Sequence, residues 1–123
     1  MNDAPESTPP ARPVGPLGPG HPVVAWVRRE VLPLIVERLR PSRVIVFDPP
    51  DRPASIGEHP PGLLIVAEGF RGIPVAERVR LVRELLAPAA PVRPFCLTPE
   101  EYRLSAHAPG PLLAAVRIGV PIL

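Results

Sequence analysis

Two apolar stretches decide the predicted fold: Arg43-Val44-Ile45-Val46-Phe47 and Leu63-Leu64-Ile65-Val66-Ala67. Each is a short run rich in branched side chains and bounded by Pro, Gly, Asp or Glu, which is typical of a buried β-strand. The residues between them, Asp48 to Gly62, include five prolines and two glycines. Prolines and glycines at this density predict a loop that joins two strands of one sheet.

The residues before the first strand predict a helix. From Val23 to Arg40 the apolar side chains recur every three or four positions, which is the period of a helix with one buried face. Pro33 lies inside this pattern and lacks the N–H that a helix interior needs, so we expect a kink or a split at about Leu32. Pro41 and Ser42 end the helix.

The residues after the second strand predict a helix and an edge strand. Pro74 suits the first turn of a helix that reaches about Leu86, with Val75, Val79, Val82 and Leu86 on its buried face. Pro91 to Leu97 predicts a third strand. Its Pro94 cannot donate to a sheet ladder, which places the strand at an edge or at a bulge.

The remaining residues predict two helices and a short strand. Thr98 and Glu101 form a capping box at the start of one helix. Pro111 to Ile118 predicts another helix with Gly119 as its C-cap, and Val120 to Leu123 a final strand. The whole order predicts an α/β (α+β) fold: a small mixed sheet of about four strands with helices packed on it.

Composition suggests one domain with an arm in front of it. The chain has 123 residues, and residues 1–22 hold seven prolines and few large apolar side chains. Such a segment buries too little surface to offset its ordering entropy, so we expect a disordered arm over 1–22 and a folded domain over 23–123.

Charge and cysteine content restrict the expected partners and compartment. All 14 basic side chains are arginines, and they are scattered along a chain of net charge +2. A nucleic-acid partner is therefore not expected, because such binders gather basic residues on one face. No signal peptide or membrane span is evident, and the single cysteine requires no oxidising environment. We therefore expect a cytoplasmic protein with no membrane association.

The segment from Pro41 to Val66 resembles the minimal nucleotidyltransferases of the DNA polymerase β superfamily. Those domains run from a helix through Pro-x-Arg-Val-x-Leu-Phe to a Gly-Ser pair, a loop, and Asp-x-Asp followed by an apolar strand. Pro41 to Phe47 and Leu63 to Val66 match the first and last of these parts. The resemblance continues from Phe70 to Val120 and implies the mixed sheet expected above.

The chain departs from this family where the family's chemistry lies. The resemblance places the Gly-Ser pair on Asp48 and Pro49, the two metal-binding aspartates on Pro60 and Gly62, and the third carboxylate at Arg93. Proline and glycine side chains offer no oxygen ligand, and an arginine brings positive charge to a metal position. The resemblance therefore implies a degenerate site with no catalytic residue, no metal and no cofactor.

The resemblance also implies a role and leaves two alternatives. Related domains often act beside a partner, so we expect a non-catalytic interaction module, antitoxin-like, with a partner protein of the helical HEPN type or another kind. One alternative is an active Mg²⁺-dependent nucleotidyltransferase with displaced ligands. Those replacement ligands would be Asp51, Glu58 and His59 in the same loop. The second alternative is a domain that binds a nucleotide or RNA through arginines.

Several further residues have a structural interpretation. Cys96 lies in a predicted strand without a sequence sign of a catalytic base, so we expect a core residue rather than a nucleophile. Trp26 is expected to pack in the core, and His21 and His107 to be solvated. The solvated face of the helix after Pro74 is predicted to carry Glu77, Arg78, Arg80, Arg83 and Glu84.

Overall fold

The structure, a computed structural model, describes residues 17–48, 60–86, 92–105 and 110–123. The predicted arm up to residue 16, most of the proline-rich loop, and His107 lie outside these ranges. The described helices and strands follow the predicted order. They are α1 (Pro22–Trp26), a π-turn (Val27–Val31), α2 (Leu32–Leu39), β1 (Arg43–Phe47), β2 (Gly62–Val66), α3 (Val75–Leu85), β3 (Arg93–Leu97), α4 (Pro99–Ser105), α5 (Pro111–Arg117) and β4 (Val120–Pro121).

The first helix begins earlier than the sequence indicates. His21 is its N-cap: the Nδ1 atom accepts a hydrogen bond from the Val23 N–H at 3.1 Å. The expectation of a solvated His21 is therefore wrong, because this ring satisfies a backbone donor that the first helical turn leaves open. Leu17 is also buried in the core, so residues 17–22 belong with the folded domain rather than with a disordered arm.

Pro33 explains the wide turn between α1 and α2. Proline has no N–H, and its ring collides with the carbonyl four residues before it. The chain responds by widening one turn, in which the Leu32 N–H bonds to the Val27 carbonyl five residues earlier. The helix axis continues through this π-turn, and α2 begins at Leu32, the position predicted for the break.

The sheet is mixed, as predicted. Its strand order is β3-β2-β1-β4. β1 runs antiparallel to both β2 and β4, whereas β2 and β3 are parallel. Register places Phe47 opposite Gly62 and Gly62 beside Arg93 at one end of the strands. At the other end Arg43 is paired with Val66.

β3 forms an edge of the described sheet, and the backbone nitrogen of Pro94 faces away from β2 although the residue as a whole is buried. The Arg93 N–H donates to Pro61 O at 2.9 Å, and Leu97 O accepts from the Ala67 N–H at 3.0 Å. Since backbone groups alternate in direction along a strand, Pro94 and Cys96 face away from β2. Pro94 therefore sits where a missing N–H breaks no bond within the sheet, which confirms the predicted edge strand.

The two faces of the sheet carry separate apolar clusters. One face packs against α1, the π-turn, α2 and α3 through residues such as Val24, Ile35 and Val82. Trp26 is 5% exposed within this cluster, so it packs in the core as expected. The other face carries Ile45, Phe47, Leu64 and Val66, which pack with Tyr102 of α4 and Val116 of α5. We call the second face the α4–α5 face.

One glycine, Gly119, and one valine, Val75, differ from their predicted roles. Gly119 follows α5, but an added Cβ would lie 2.7 Å from Val46 O and 2.8 Å from Phe47 Cβ. This glycine is needed for close approach to β1 rather than as a left-handed C-cap. On α3, Val75 is 59% exposed although it was predicted to be buried, while Val82 is fully buried.

Candidate functional site

The sheet brings together Gly62 and Arg93, two of the positions that the resemblance assigns to a degenerate motif, beside Phe47. Phe47, Gly62 and Arg93 occupy adjacent register positions on β1, β2 and β3 and share the α4–α5 face. Asp48 follows Phe47 directly and is half-buried, and Pro60, two residues before β2, is exposed. Pro49, Asp51, Glu58 and His59 lie outside the described residues, so the replacement-ligand hypothesis stays a prediction.

An aromatic ring fills the space beside Gly62. A Cβ built on this glycine would lie 2.6 Å from Phe47 Cζ and 2.8 Å from Phe47 Cε1, closer than real side-chain atoms approach. Phe47 itself is fully buried, and its ring centroid lies 5.2 Å from that of Phe95 at an interplanar angle of 54°. A tilted aromatic pair of this kind is a stable packing unit. No side chain, acidic or otherwise, fits at position 62 while this pair is in place.

Arg93 brings positive charge to the same end of the sheet. Its guanidinium carbon lies 5.2 Å from the centre of the Phe95 ring, the geometry of a cation–π contact. Phe47, Gly62, Phe95 and Arg93 therefore form one continuous patch, which we call the Phe47 plug. Within the described ranges, no group of three or more His, Cys, Asp or Glu side chains is close enough to hold a metal ion.

A buried ion pair joins α3, β3 and α4. Arg78 is 5% exposed, so its predicted place on a solvated helix face is wrong. Its guanidinium donates to Ile73 O at 2.7 Å, to Cys96 O at 3.1 Å, and to both carboxylate oxygens of Glu101 at 2.6 and 3.1 Å. These acceptors satisfy the charged guanidinium, so Arg78 can be buried at a helix position that hydrophobic periodicity alone would assign to the surface.

Glu101 has two roles at this joint. Its Oε1 accepts the Thr98 N–H at 2.9 Å, and its own N–H donates to Thr98 Oγ1 at 3.1 Å, which confirms the predicted capping box. The hydrogen bond from Arg78, followed by that from the Thr98 backbone, lowers the pKa of Glu101 from 4.5 to about 2. The pair is therefore a structural joint between elements, and nothing in its geometry requires a ligand.

Cys96 is held in a form that does not favour nucleophilic attack. It is 3% exposed on the inner face of β3, and burial raises the pKa of its thiol from 9.0 to about 12. A reactive cysteine needs the opposite shift, toward the thiolate. The structure therefore agrees with the expectation of a core residue.

A basic pocket lies at the other end of the α4–α5 face. It has a volume of about 590 Å³, and Arg43, Tyr102, Arg103 and Arg117 are among its lining residues. We call it the three-arginine pocket. Sequence reasoning missed it because these arginines come from β1, α4 and α5 and are separated by many residues. Only the tertiary fold brings them together. The sequence shows that every basic side chain of the chain is an arginine, but it does not show which arginines become neighbours.

Among the described residues, no helix is long and apolar enough to cross a bilayer. Comparisons of this chain with protein-family models, with curated proteins and with solved structures found no match.

Proposed function

We propose that this chain is a nucleotidyltransferase-like domain that has lost metal-dependent nucleotidyl transfer and acts as a non-catalytic interaction module. The observation that carries the proposal is the Phe47 plug. The resemblance asks for metal-binding carboxylates at positions 60, 62 and 93. Gly62 instead contacts an aromatic ring, and Arg93 stacks on Phe95 beside it.

The chemistry of the plug supports loss of transfer activity. Divalent cations in phosphoryl-transfer sites need several oxygen ligands in a defined geometry. Phe47 and Phe95 offer none, and the guanidinium of Arg93 repels a cation. Because Phe47 is fully buried, a metal could enter here only if the aromatic pair came apart, which would cost packing energy of the order of 1 kcal/mol or more.

The interaction role rests on the resemblance and on exposed apolar side chains. Domains of the family that the chain resembles often act beside a partner, which in some cases is a helical toxin-like protein, and an antitoxin-like role would follow the same scheme. Leu104 on α4 and Ile118 after α5 are 60% and 79% exposed, and Leu123 is 49% exposed. Large apolar side chains of this kind supply the buried contacts of protein interfaces.

The loss of metal binding can be tested with Mn²⁺, which broadens NMR signals of nearby nuclei. With a nucleoside triphosphate present, we expect no selective broadening at Phe47, Gly62 or Arg93, and no Mg²⁺-dependent transfer of nucleotide to protein or RNA. Selective broadening at these positions together with metal-dependent turnover would show that the chain is an enzyme with displaced ligands.

The interaction role is tested by purifying the tagged chain from its natural source. A partner at fixed stoichiometry is expected with the wild type and lost in Ile118→Asp. Val75→Asp is the matched control, because Val75 is another exposed apolar residue, 59% exposed, and belongs to α3 rather than to α4, α5 or the residues after them. Absence of any stoichiometric partner, or equal loss in both variants, would contradict the proposed interaction.

A further inference from the structure

The arginines of the three-arginine pocket lie away from the Phe47 plug, although the pocket extends to Gly119, where an added Cβ would lie 2.8 Å from Phe47 Cβ. Arg43 opens β1 and Phe47 closes it, so the two lie about 13 Å apart along the strand at the usual rise per residue. Arg103 comes from α4 and Arg117 from the last turn of α5. Three elements thus converge on a concavity of about 590 Å³, a size typical of pockets that hold small molecules.

The positive charge of this pocket is not neutralised by the described residues. None of the described lining residues is acidic, and no described carboxylate forms an ion pair with Arg43, Arg103 or Arg117. The two acidic residues of α4 are engaged elsewhere. Glu101 binds Arg78, and Glu100 lies 3.5 Å from Arg71.

Arg43 is oriented by an aromatic neighbour. Its guanidinium carbon lies 5.1 Å from the centre of the Tyr102 ring. A guanidinium presents its N–H groups at the edge of its plane, and that edge matches two oxygens of a phosphate group. The ring therefore limits the rotamers of Arg43 and reduces the entropy lost when an anion binds.

The rest of the pocket wall is apolar. Ile45, Val116 and Pro121 contribute to it, and Ile45 and Val116 are buried at its base. A lining of this kind favours a ligand that combines an anionic group with an apolar or planar body, because both parts then find a matching surface. Bare inorganic anions would use only the arginines.

We propose that the three-arginine pocket binds a small phosphorylated molecule with an apolar or planar body. Charge and shape together favour this ligand over a nucleic acid. The arginines line one concavity rather than a stripe along the surface, and the net charge of the chain is only +2. This proposal does not rest on the interaction role proposed above, because it uses the arginines and the apolar wall of the pocket rather than the exposed side chains of Leu104, Ile118 and Leu123 beside it.

The test is a titration of the full chain with phenyl phosphate and with inorganic phosphate, followed by NMR of backbone and arginine side-chain N–H groups. We expect signals of Arg43, Arg103 and Arg117 to shift, and phenyl phosphate to bind several-fold more tightly than phosphate. Arg43→Gln and Arg117→Gln should each weaken binding about tenfold, since a charge-assisted hydrogen bond contributes that much or more.

Arg38→Gln is the matched control. Arg38 is exposed on α2, on the other side of the sheet, and its substitution removes the same charge. The affinity of this variant for phenyl phosphate should stay within about twofold of that of the wild type, well under the 1.4 kcal/mol of a tenfold change. Arg43→Lys keeps the positive charge but removes the planar guanidinium that can donate two parallel hydrogen bonds, so this variant should also bind phenyl phosphate more weakly. Thermal melts verify that each variant is folded.

Several outcomes would overturn the proposal. One is the absence of shifts at phosphate-ester concentrations of about 10 mM, where even a millimolar site is largely filled. Equal weakening in Arg38→Gln, or equal binding of phosphate and phenyl phosphate, would also contradict it. A single-stranded RNA that bound far more tightly, with an affinity falling steeply with salt, would make nucleic acid the ligand instead.

Discussion

At the scale of single residues, a few contacts decide what each end of the α4–α5 face can do. The Phe47 ring lies against Gly62, so position 62 has no space for a carboxylate side chain. At the other end, Tyr102 holds the guanidinium of Arg43 beside an open concavity. The same face therefore carries a packed aromatic pair beside Arg93 at one end and an open concavity lined by arginines at the other.

The packing of Phe47 on Gly62 predicts the effect of one methyl group. In Gly62→Ala the new Cβ would meet the ring at 2.6 Å, so either the aromatic pair or the strand must shift. We expect a loss of about 1–3 kcal/mol in the free energy of unfolding, the usual cost of overpacking a core. Chemical denaturation measures it.

Gly69→Ala is the control, because nothing lies within 4 Å of the Cβ position at Gly69. This variant should match the wild type to within about 0.5 kcal/mol. A second substitution, Phe47→Leu, should recover part of the loss in Gly62→Ala, since neighbouring residues couple. Equal stability of Gly62→Ala and Gly69→Ala would show that Phe47 does not hold this position.

At the scale of elements, Arg78 joins a helix, an edge strand and a capped helix. Its hydrogen bonds reach the backbone of β3 at Cys96 and the carboxylate of Glu101 on α4. α4 has only seven residues and no fully buried side chain, so it is too short to be stable by itself. The Arg78–Glu101 pair and the capping box thus position the helix that carries Tyr102 and Arg103.

This joint predicts both a stability loss and a pH dependence. Arg78→Met should destabilise the fold by about 1–3 kcal/mol, mainly because it leaves the Ile73 and Cys96 carbonyl groups without their donor, whereas the partly exposed Glu101 carboxylate can be hydrated. The folded-state pKa of Glu101 is depressed to about 2, so its contribution is present above pH 4.5 and is lost as the pH falls toward 2. Urea denaturation between pH 7 and pH 2 checks both effects.

Glu101→Gln should lack this part of the acid sensitivity, so its stability curve should approach that of the wild type at low pH. Arg80→Gln is the control, because Arg80 forms a solvent-exposed ion pair with Glu77, and such pairs contribute about 0.5 kcal/mol or less to the free energy of unfolding. A wild type and a Glu101→Gln variant with parallel pH profiles would contradict the role assigned to this carboxylate.

Much of the order of elements could be predicted from local sequence. The bounds of β1 are those predicted, because a run of branched residues between Ser42 and Asp48 carries its own signal. Pro94 indicated an edge strand, and Thr98 with Glu101 indicated a capped helix start. These features depend on neighbours in the sequence, so sequence alone suffices for them.

Burial of Arg78 and the three-arginine pocket could not be predicted in this way. Hydrophobic periodicity assigns a charged residue to the surface, whereas Arg78 is buried by a partner 23 positions away. Arg43, Arg103 and Arg117 become neighbours only when α4 and α5 pack beside β1. Gly62 and Arg93, two positions of the motif that the resemblance suggests, lie side by side on one face. The contact of the Phe47 ring with Gly62 depends on side-chain packing, which local sequence patterns do not predict.

At the scale of the whole molecule, β3 forms one edge of the described sheet, and the chain limits what can pair there. Pro94 offers no N–H on that edge, and the carbonyl of Cys96 already accepts from Arg78. Unpaired backbone groups on an edge strand invite pairing with another chain. Two of the outward groups are thus removed or occupied, which disfavours association between copies through β3.

Restoring the missing donor should change how copies of the chain associate. In Pro94→Val a valine suits the strand and returns an N–H to the open edge. We expect faster concentration-dependent association in light scattering, with the fold retained. Pro60→Val, at an exposed proline outside the strands, should behave as the wild type; the same association in both variants, or in neither, would argue against a protective role for Pro94.

The π-turn before Pro33 has a consequence for chain length. A helix that widens by one residue for a single turn has accepted an extra amino acid without rotating the residues on either side out of place. Val24 and Ile35 both reach the core across this turn. A shortened sequence lacking one residue between 27 and 31, and with Ala at 33, would wind as an ordinary α-helix and still direct both side chains inward, so homologous chains that differ by one residue here can share the same interior.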